Sequence, residues 1–219
     1  GTQANGASNQ VTVVETATHR VAAAIDVGRA PLDLAISPDG RRVYVTNSQS
    51  RSVSVLDVDR LEEIHRFPVL STRDGPFGVV ASPDNRFIYV TDIDNNQVIV
   101  MEAGSGRIEA QIGVIASPRS LAISASGSRL YASGFDGGIS VVDTKGRSVI
   151  GTIDTGSSSV FRIVLSPDGK RLYATDRLGA NLLVVDLEQN SVVGTIPALS
   201  FGRETRDLAV SADGSRVYV

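Results

Sequence analysis

Short apolar runs separated by turn residues recur along the whole chain, and they recur at a fixed period. Ser37 to Asn47 (SPDGRRVYVTN) returns as Ser82 to Asp92 (SPDNRFIYVTD), Ser124 to Gly134 (SASGSRLYASG) and Ser166 to Asp176 (SPDGKRLYATD), with a shorter copy at Ser211 to Val219 (SADGSRVYV). The serines are spaced 45, 42, 42 and 45 residues apart, and each of the five tyrosines falls seven residues after its serine. Apolar residues before the turn (Leu34, Ala35, Ile36) and after it (Val43, Tyr44, Val45) predict two strands joined by a tight turn. Pro-Asp-Gly suits that turn, because proline presets φ, aspartate bonds the backbone ahead and glycine accepts positive φ. The second strand is apolar on consecutive residues, as expected of a strand covered on both faces.

A second hairpin follows each tyrosine hairpin. Its first strand ends in a carboxylate at Glu15, Asp57, Glu102, Asp143 and Asp186, and a fourth strand comes after the next turn. One such acid per repeat is expected to anchor the turn that follows it. A period of this length with four short strands per repeat predicts an all-β fold, a β-propeller of four-stranded antiparallel blades. The chain holds five acid hairpins and five tyrosine hairpins, opening with one kind and closing with the other. It therefore predicts five blades, with strands in 11–28 pairing with strands in 207–219 so that no sheet edge stays open. The alternative is a fragment of a larger propeller. Residues 1–10 are small and polar and are expected to be a loose tail ahead of one domain spanning 11–219.

The motifs themselves point to a family. VYVTN at 43–47, SPDG at 37–40 and VSVLD at 53–57 resemble the YVTN-type β-propeller repeats of bacterial and archaeal surface and periplasmic proteins. The resemblance covers nearly the whole chain from Val11 and implies a location outside the cytoplasm: periplasm, secreted or cell surface. That wider group includes surface-layer-like proteins, lactonase-like and lyase-like enzymes and propellers tied to redox cofactors, so it implies a fold more narrowly than an activity. The third repeat departs from the pattern, because Ser124-Ala-Ser-Gly lacks Pro-Asp and the loop at Phe135–Gly138 is one residue shorter. Five blades is also fewer than the family usually has, which keeps the larger-ring alternative open.

Composition narrows the partners. A net charge of −3 and a pI of about 5.4 give no global attraction for nucleic acid or an anionic membrane. No apolar run approaches the roughly 18 residues of a membrane span. The chain has no cysteine, which removes disulfides and thiolate metal sites. If the ring closes on itself, a monomer is expected.

Candidate chemistry is sparse. His19 falls in a turn and His65 on a rim strand, neither placed for acid–base work. Asp92-Ile-Asp-Asn-Asn96 has the oxygens of a cation loop, but lacks the glycine and closing glutamate of a helix-loop-helix calcium site and reads as a turn. The informative positions are those where the repeat is broken. At the start of each first strand, where a propeller blade lines the central channel, successive repeats carry Leu32, Phe77, Arg119, Phe161 and Arg206, followed by Asp33, Gly78, Ser120, Arg162 and Asp207. Blade packing alone asks for no charge there. Asp33, Phe77, Arg119, Phe161, Arg162, Arg206 and Asp207 are therefore the candidate ligand-binding residues. The arginines would hold a small anionic ligand or an acidic protein surface through their planar donor fork. The competing view pairs arginine with aspartate and merely solvates the mouth. The extra residues of the two longer repeats fit at 70–75 and 199–204, in loops opening beside this ring. The leading expectation is a non-catalytic binding or interaction propeller. The alternatives are a lactonase-like or lyase-like enzyme, with Asp33 or Asp207 as base, and a propeller that binds or assembles a redox cofactor. The sequence names no cofactor and no metal site.

Overall fold

A computed structural model describes residues 9–73, 75–197 and 207–219. All of its regular structure is β-strand. An N-terminal half-blade pairs β1 (Gln10–Glu15) with β2 (Arg20–Asp26). The first complete blade is β3 (Pro31–Ile36), β4 (Arg42–Asn47), β5 (Ser52–Asp57) and β6 (Glu62–Pro68). The second is β7 (Pro76–Ala81), β8 (Phe87–Asp92), β9 (Gln97–Glu102) and β10 (Ile108–Gly113). The third is β11 (Pro118–Ile123), β12 (Arg129–Gly134), β13 (Gly138–Asp143) and β14 (Ser148–Asp154). The fourth is β15 (Val160–Leu165), β16 (Arg171–Asp176), β17 (Asn181–Asp186) and β18 (Ser191–Pro197). A C-terminal half-blade pairs β19 (Ala209–Val210) with β20 (Val217–Tyr218). Strands within each blade are antiparallel neighbours in chain order, as the repeat predicts.

The tyrosine motif exists because blades stack face to face. Tyr44 packs in a cluster with Val79, Ile88 and Ile99 of the second blade. Tyr89 packs with Leu121 and Leu130 of the third, and Tyr131 with Ile163 and Leu172 of the fourth. Val45, next along β4, faces the other way, onto Ile25 and Val27 beside the N-terminal half-blade. Period-2 alternation thus gives each second strand two covered faces. Tyr173 is only half-buried and Tyr218 is 57% exposed. The two-residue strands of the C-terminal half-blade offer the first little surface, and no described blade follows the second.

The turns use the predicted chemistry. Ser37 Oγ donates to Asp39 Oδ1 at 2.6 Å, while the Arg41 N–H donates to the same oxygen and the Arg42 N–H to Ser37 Oγ. The same set recurs at Ser82/Asp84, Ser166/Asp168 and Ser211/Asp213. In the third blade Ser124, Ser126 and Ser128 form a hydroxyl chain at 3.2 and 2.9 Å instead. The strand-ending acids anchor turns as expected: Asp57 accepts the Asp59 and Arg60 N–H groups, and Asp186 those of Glu188 and Gln189.

Closure is where the structure departs from expectation. The strands in 11–28 do not pair with those in 207–219; the two half-blades stay separate sheets. Strands of two residues present too few ladder hydrogen bonds to hold a blade together. On β3, Leu34 is 50% exposed, whereas its counterparts Val79, Leu121 and Ile163 are buried against the preceding blade's first strand. The described residues therefore form four complete blades and two half-blades, and the expectation of a monomer, tied to a closed ring, loses its basis. Residues 1–8 of the expected tail lie outside the described residues, and Gln10 already belongs to β1. Among the described residues no helix is long and apolar enough to cross a membrane.

Candidate functional site at the channel mouth

The site is made by the way each blade begins. Ala30, Gly75 and Ser117 take φ values of 54°, 47° and 49° immediately before Pro31, Pro76 and Pro118. For Ala30 and Ser117 this left-handed conformation carries a strain of about 1–3 kcal/mol. Pairing with the second strand then slips, between Pro31 and Asp33, Pro76 and Val79, Pro118 and Ser120, and Val160 and Ile163. Such a bulge leaves residues outside the ladder and re-aims their side chains. The slip releases Leu32 in the first blade, Phe77 and Gly78 in the second, Arg119 in the third and Phe161 and Arg162 in the fourth, all at positions where the repeat is broken.

Buried hydroxyls secure the bulges. Thr46 Oγ1 accepts the Asp33 N–H at 3.1 Å and donates to the Phe77 carbonyl of the next blade at 2.6 Å. Thr91 and Thr175 accept the Gly78 and Arg162 N–H groups. The approach of neighbouring first strands is close: a Cβ on Gly78 would lie 2.4 Å from the Arg119 carbonyl oxygen.

Side chains from these blade starts converge on a cavity of about 510 Å³. Asp33, Phe77, Arg119, Phe161, Arg162 and Asp207 all line it, so six of the seven residues singled out in the sequence come together. Arg206 lies outside the described residues. Leu32 and Ser120, from the same two repeat positions, complete the first-strand contribution. Arg177 is a lining residue that the first-strand positions do not reveal. It follows the last residue of β16, where earlier repeats carry Ser48, Ile93 and Phe135. The broken-repeat criterion, applied to that turn, picks out both Arg177 and Phe135.

The mouth has two chemically distinct parts. In one, Arg162 Nη1 donates to Asp33 Oδ1 at 3.2 Å, and Asp207 Oδ1 stands 3.2 Å from Arg162 Nε. Asp33 Oδ2 also accepts the Val79 N–H at 3.2 Å, as Ser120 Oγ accepts that of Ile163. Blade packing thus does use the carboxylate of Asp33, contrary to the expectation that it asks for no charge there.

In the other part, the guanidinium carbon of Arg119 lies 4.0 Å from the Phe135 ring centre, 4.6 Å from Phe77 and 5.9 Å from Phe161. Arg177 lies 5.6 Å from both Phe135 and Phe161. Phe77 and Phe161 meet edge to face at 5.7 Å. Cations over ring faces in a partly desolvated setting are worth roughly 0.5–2 kcal/mol each.

The remaining candidates stay off this site. His19 is exposed in the β1–β2 turn, and His65 is exposed and stacked on Phe67 at 5.9 Å. Asp92 accepts hydrogen bonds from Ser71, Asn95 and Gln97, and Asp94 accepts those of the Thr72 and Arg73 N–H groups, so this loop uses its carboxylates as turn anchors. The longer connection after β6 is thereby tied to the β8–β9 turn, and none of its described residues lines the cavity, contrary to the sequence expectation. Its counterpart at 199–204 lies outside the described residues.

Comparison with known proteins follows this architecture. Over 196 residues the chain is 29% identical to the "Seven-bladed beta-propeller protein Rv1057" of Mycobacterium tuberculosis, a match covering 90% of this chain and 36% of that protein. The chain thus spans about a third of the curated relative it matches. A solved chain of Kuenenia stuttgartiensis hydrazine synthase superposes with a TM-score of 0.84 at 25% identity, over 98% of this chain and 68% of that one. The family model described as "Lactonase, 7-bladed beta-propeller" matches residues 8–145, well over half of the sequence. With the blades, the bulged first strands and this match together, the chain belongs to the lactonase-type seven-bladed β-propeller family.

Proposed function

We propose that this propeller is a binding module that holds an anionic group of a small ligand at the channel mouth. The observation that carries the proposal is the convergence of Arg119, Arg162 and Arg177 with Phe77 and Phe161 on one 510 Å³ cavity. Three arginines there face two aspartates, so the cavity is positive on a chain of net charge −3. Apolar walls strengthen that attraction by lowering the local dielectric. The volume falls within the range of small-molecule pockets.

Binding is favoured over hydrolysis by Asp33. One of its oxygens accepts from Arg162 and the other from the Val79 N–H, so this carboxylate already serves contacts between blades. The repeat type is read as the YVTN kind on the strength of VYVTN and SPDG, and with it a place outside the cytoplasm.

The test is calorimetric titration of the wild type with benzoate, succinate and inorganic phosphate, repeated on an Arg119→Met/Arg177→Met variant. Unit charges about 6 Å apart attract by roughly 3 kcal/mol at an effective dielectric of 20. Losing both arginines should therefore weaken binding at least tenfold. Failure of all three anions to bind, or equal affinity in a folded variant, would overturn the proposal.

A further inference from the structure

Arg162 is held from two sides, and the two sides differ in kind. Asp33 is anchored: it bonds the Val79 N–H as well as Arg162, and its side chain is 16% exposed. Asp207 is 80% exposed, and its Oδ1 also accepts the N–H of Leu208, its own chain neighbour. Although that oxygen stands 3.2 Å from Arg162 Nε, the two are not aligned for a hydrogen bond; among the described residues, Nε is buried and its hydrogen bond is unmade. A buried donor left in this state is unfavourable, and arginine donates to a carboxylate best when two N–H groups on one edge bond together.

We infer that Asp207 keeps the place of a ligand carboxylate, and that the ligand class is a carboxylate with an apolar body. This rests on the proposal that the mouth binds anions. The ligand's carboxylate displaces Asp207 and makes the aligned bond to Arg162 that Asp207 does not. Its apolar body lies against Leu32, Phe77 and Phe161 in the same cavity. A doubly charged phosphate suits this place less, because Asp33 stays on the same guanidinium and repels a second charge more than a single one.

The experiment compares benzoate and inorganic phosphate by calorimetric titration on the wild type, Asp207→Ala, and Asp207→Ala/Arg162→Gln, each checked for folding by circular dichroism. The expected result is benzoate binding at least fivefold tighter in Asp207→Ala, a smaller gain for phosphate, and loss of the benzoate gain in the double variant. Unchanged or weaker benzoate binding in Asp207→Ala overturns the inference while leaving the anion-binding proposal standing. A phosphate gain equal to or larger than that of benzoate overturns it too, since mere removal of a negative charge would account for that. If neither anion binds the wild type or Asp207→Ala, the inference falls, and if succinate fails to bind as well, the anion-binding proposal falls with it.

Discussion

Arg162 and Asp33, 129 residues apart in sequence, are joined by a 3.2 Å ion pair that links the first strands of the first and fourth blades across the channel mouth. Neither group is deeply buried, so the pair is worth less than an interior one and more than a surface one. It sits on bulges whose backbone is already tied by Thr46 and Thr175. The contact therefore orients side chains more than it holds the blades together.

A double-mutant cycle with Arg162→Ala and Asp33→Ala should give a coupling energy of about 1–2 kcal/mol in denaturant unfolding. Asp33→Ala alone should cost more than Arg162→Ala, because it also strands the Val79 N–H. A coupling near zero would mean the pair is not formed in solution.

Tyrosines of one motif should differ in weight by their position in the stack. Tyr89→Ala, at a site 4% exposed between the second and third blades, should destabilise by about 3–5 kcal/mol. Tyr218→Ala, at the exposed end, should cost under about 0.5 kcal/mol. Equal losses from the two would show that Tyr218 is covered in solution.

Thr46→Val keeps the shape of the side chain and removes one hydroxyl. The Asp33 N–H and the Phe77 carbonyl then lose their shared partner, for a loss of about 1–3 kcal/mol in equilibrium unfolding. Gly78→Ala should act by a different route. It forces the Arg119 carbonyl to move, and should weaken anion binding at the mouth as well as stability.

Acid should act on the turns of the serine motif. Ser211 and the backbone N–H of Ser215 hold the Asp213 carboxyl down to a pKa of about 2, and Ser37 and Ser166 lower those of Asp39 and Asp168. A folded-state pKa below the unfolded one gives stability that is complete above the unfolded value, near 3.8, and disappears as pH falls through the folded value. The third blade has Ser126 at this position and lacks the contribution. Ser126→Asp should raise the melting temperature at neutral pH, with a gain that shrinks as pH falls from about 5 toward 2. A gain independent of pH would point to another cause.

Much of this protein is legible in its amino-acid sequence. The spacing of Ser37, Ser82, Ser124, Ser166 and Ser211 carries the blades, because turn chemistry and strand alternation act over a few residues and repeat with them. The same regularity exposes the site: a residue that departs from a five-fold pattern, such as Arg119 or Arg162, is not there for the pattern's sake. Asp33 shows the limit of that rule, since it departs from the pattern and also bonds the neighbouring blade.

Tertiary structure alone decided three things. That Arg162 meets Asp33 and Asp207 depends on β15, β3 and the residues just before β19 reaching one point, and no local preference encodes a contact over 129 residues. That Arg119 and Arg177 share Phe135 and Phe161 depends on the β12–β13 and β16–β17 turns opening on the same mouth as the first strands. And the two half-blades do not join. The sequence counts half-blades equally well whether or not they meet, whereas pairing requires backbone hydrogen bonds that the two-residue strands at 209–210 and 217–218 are too short to supply.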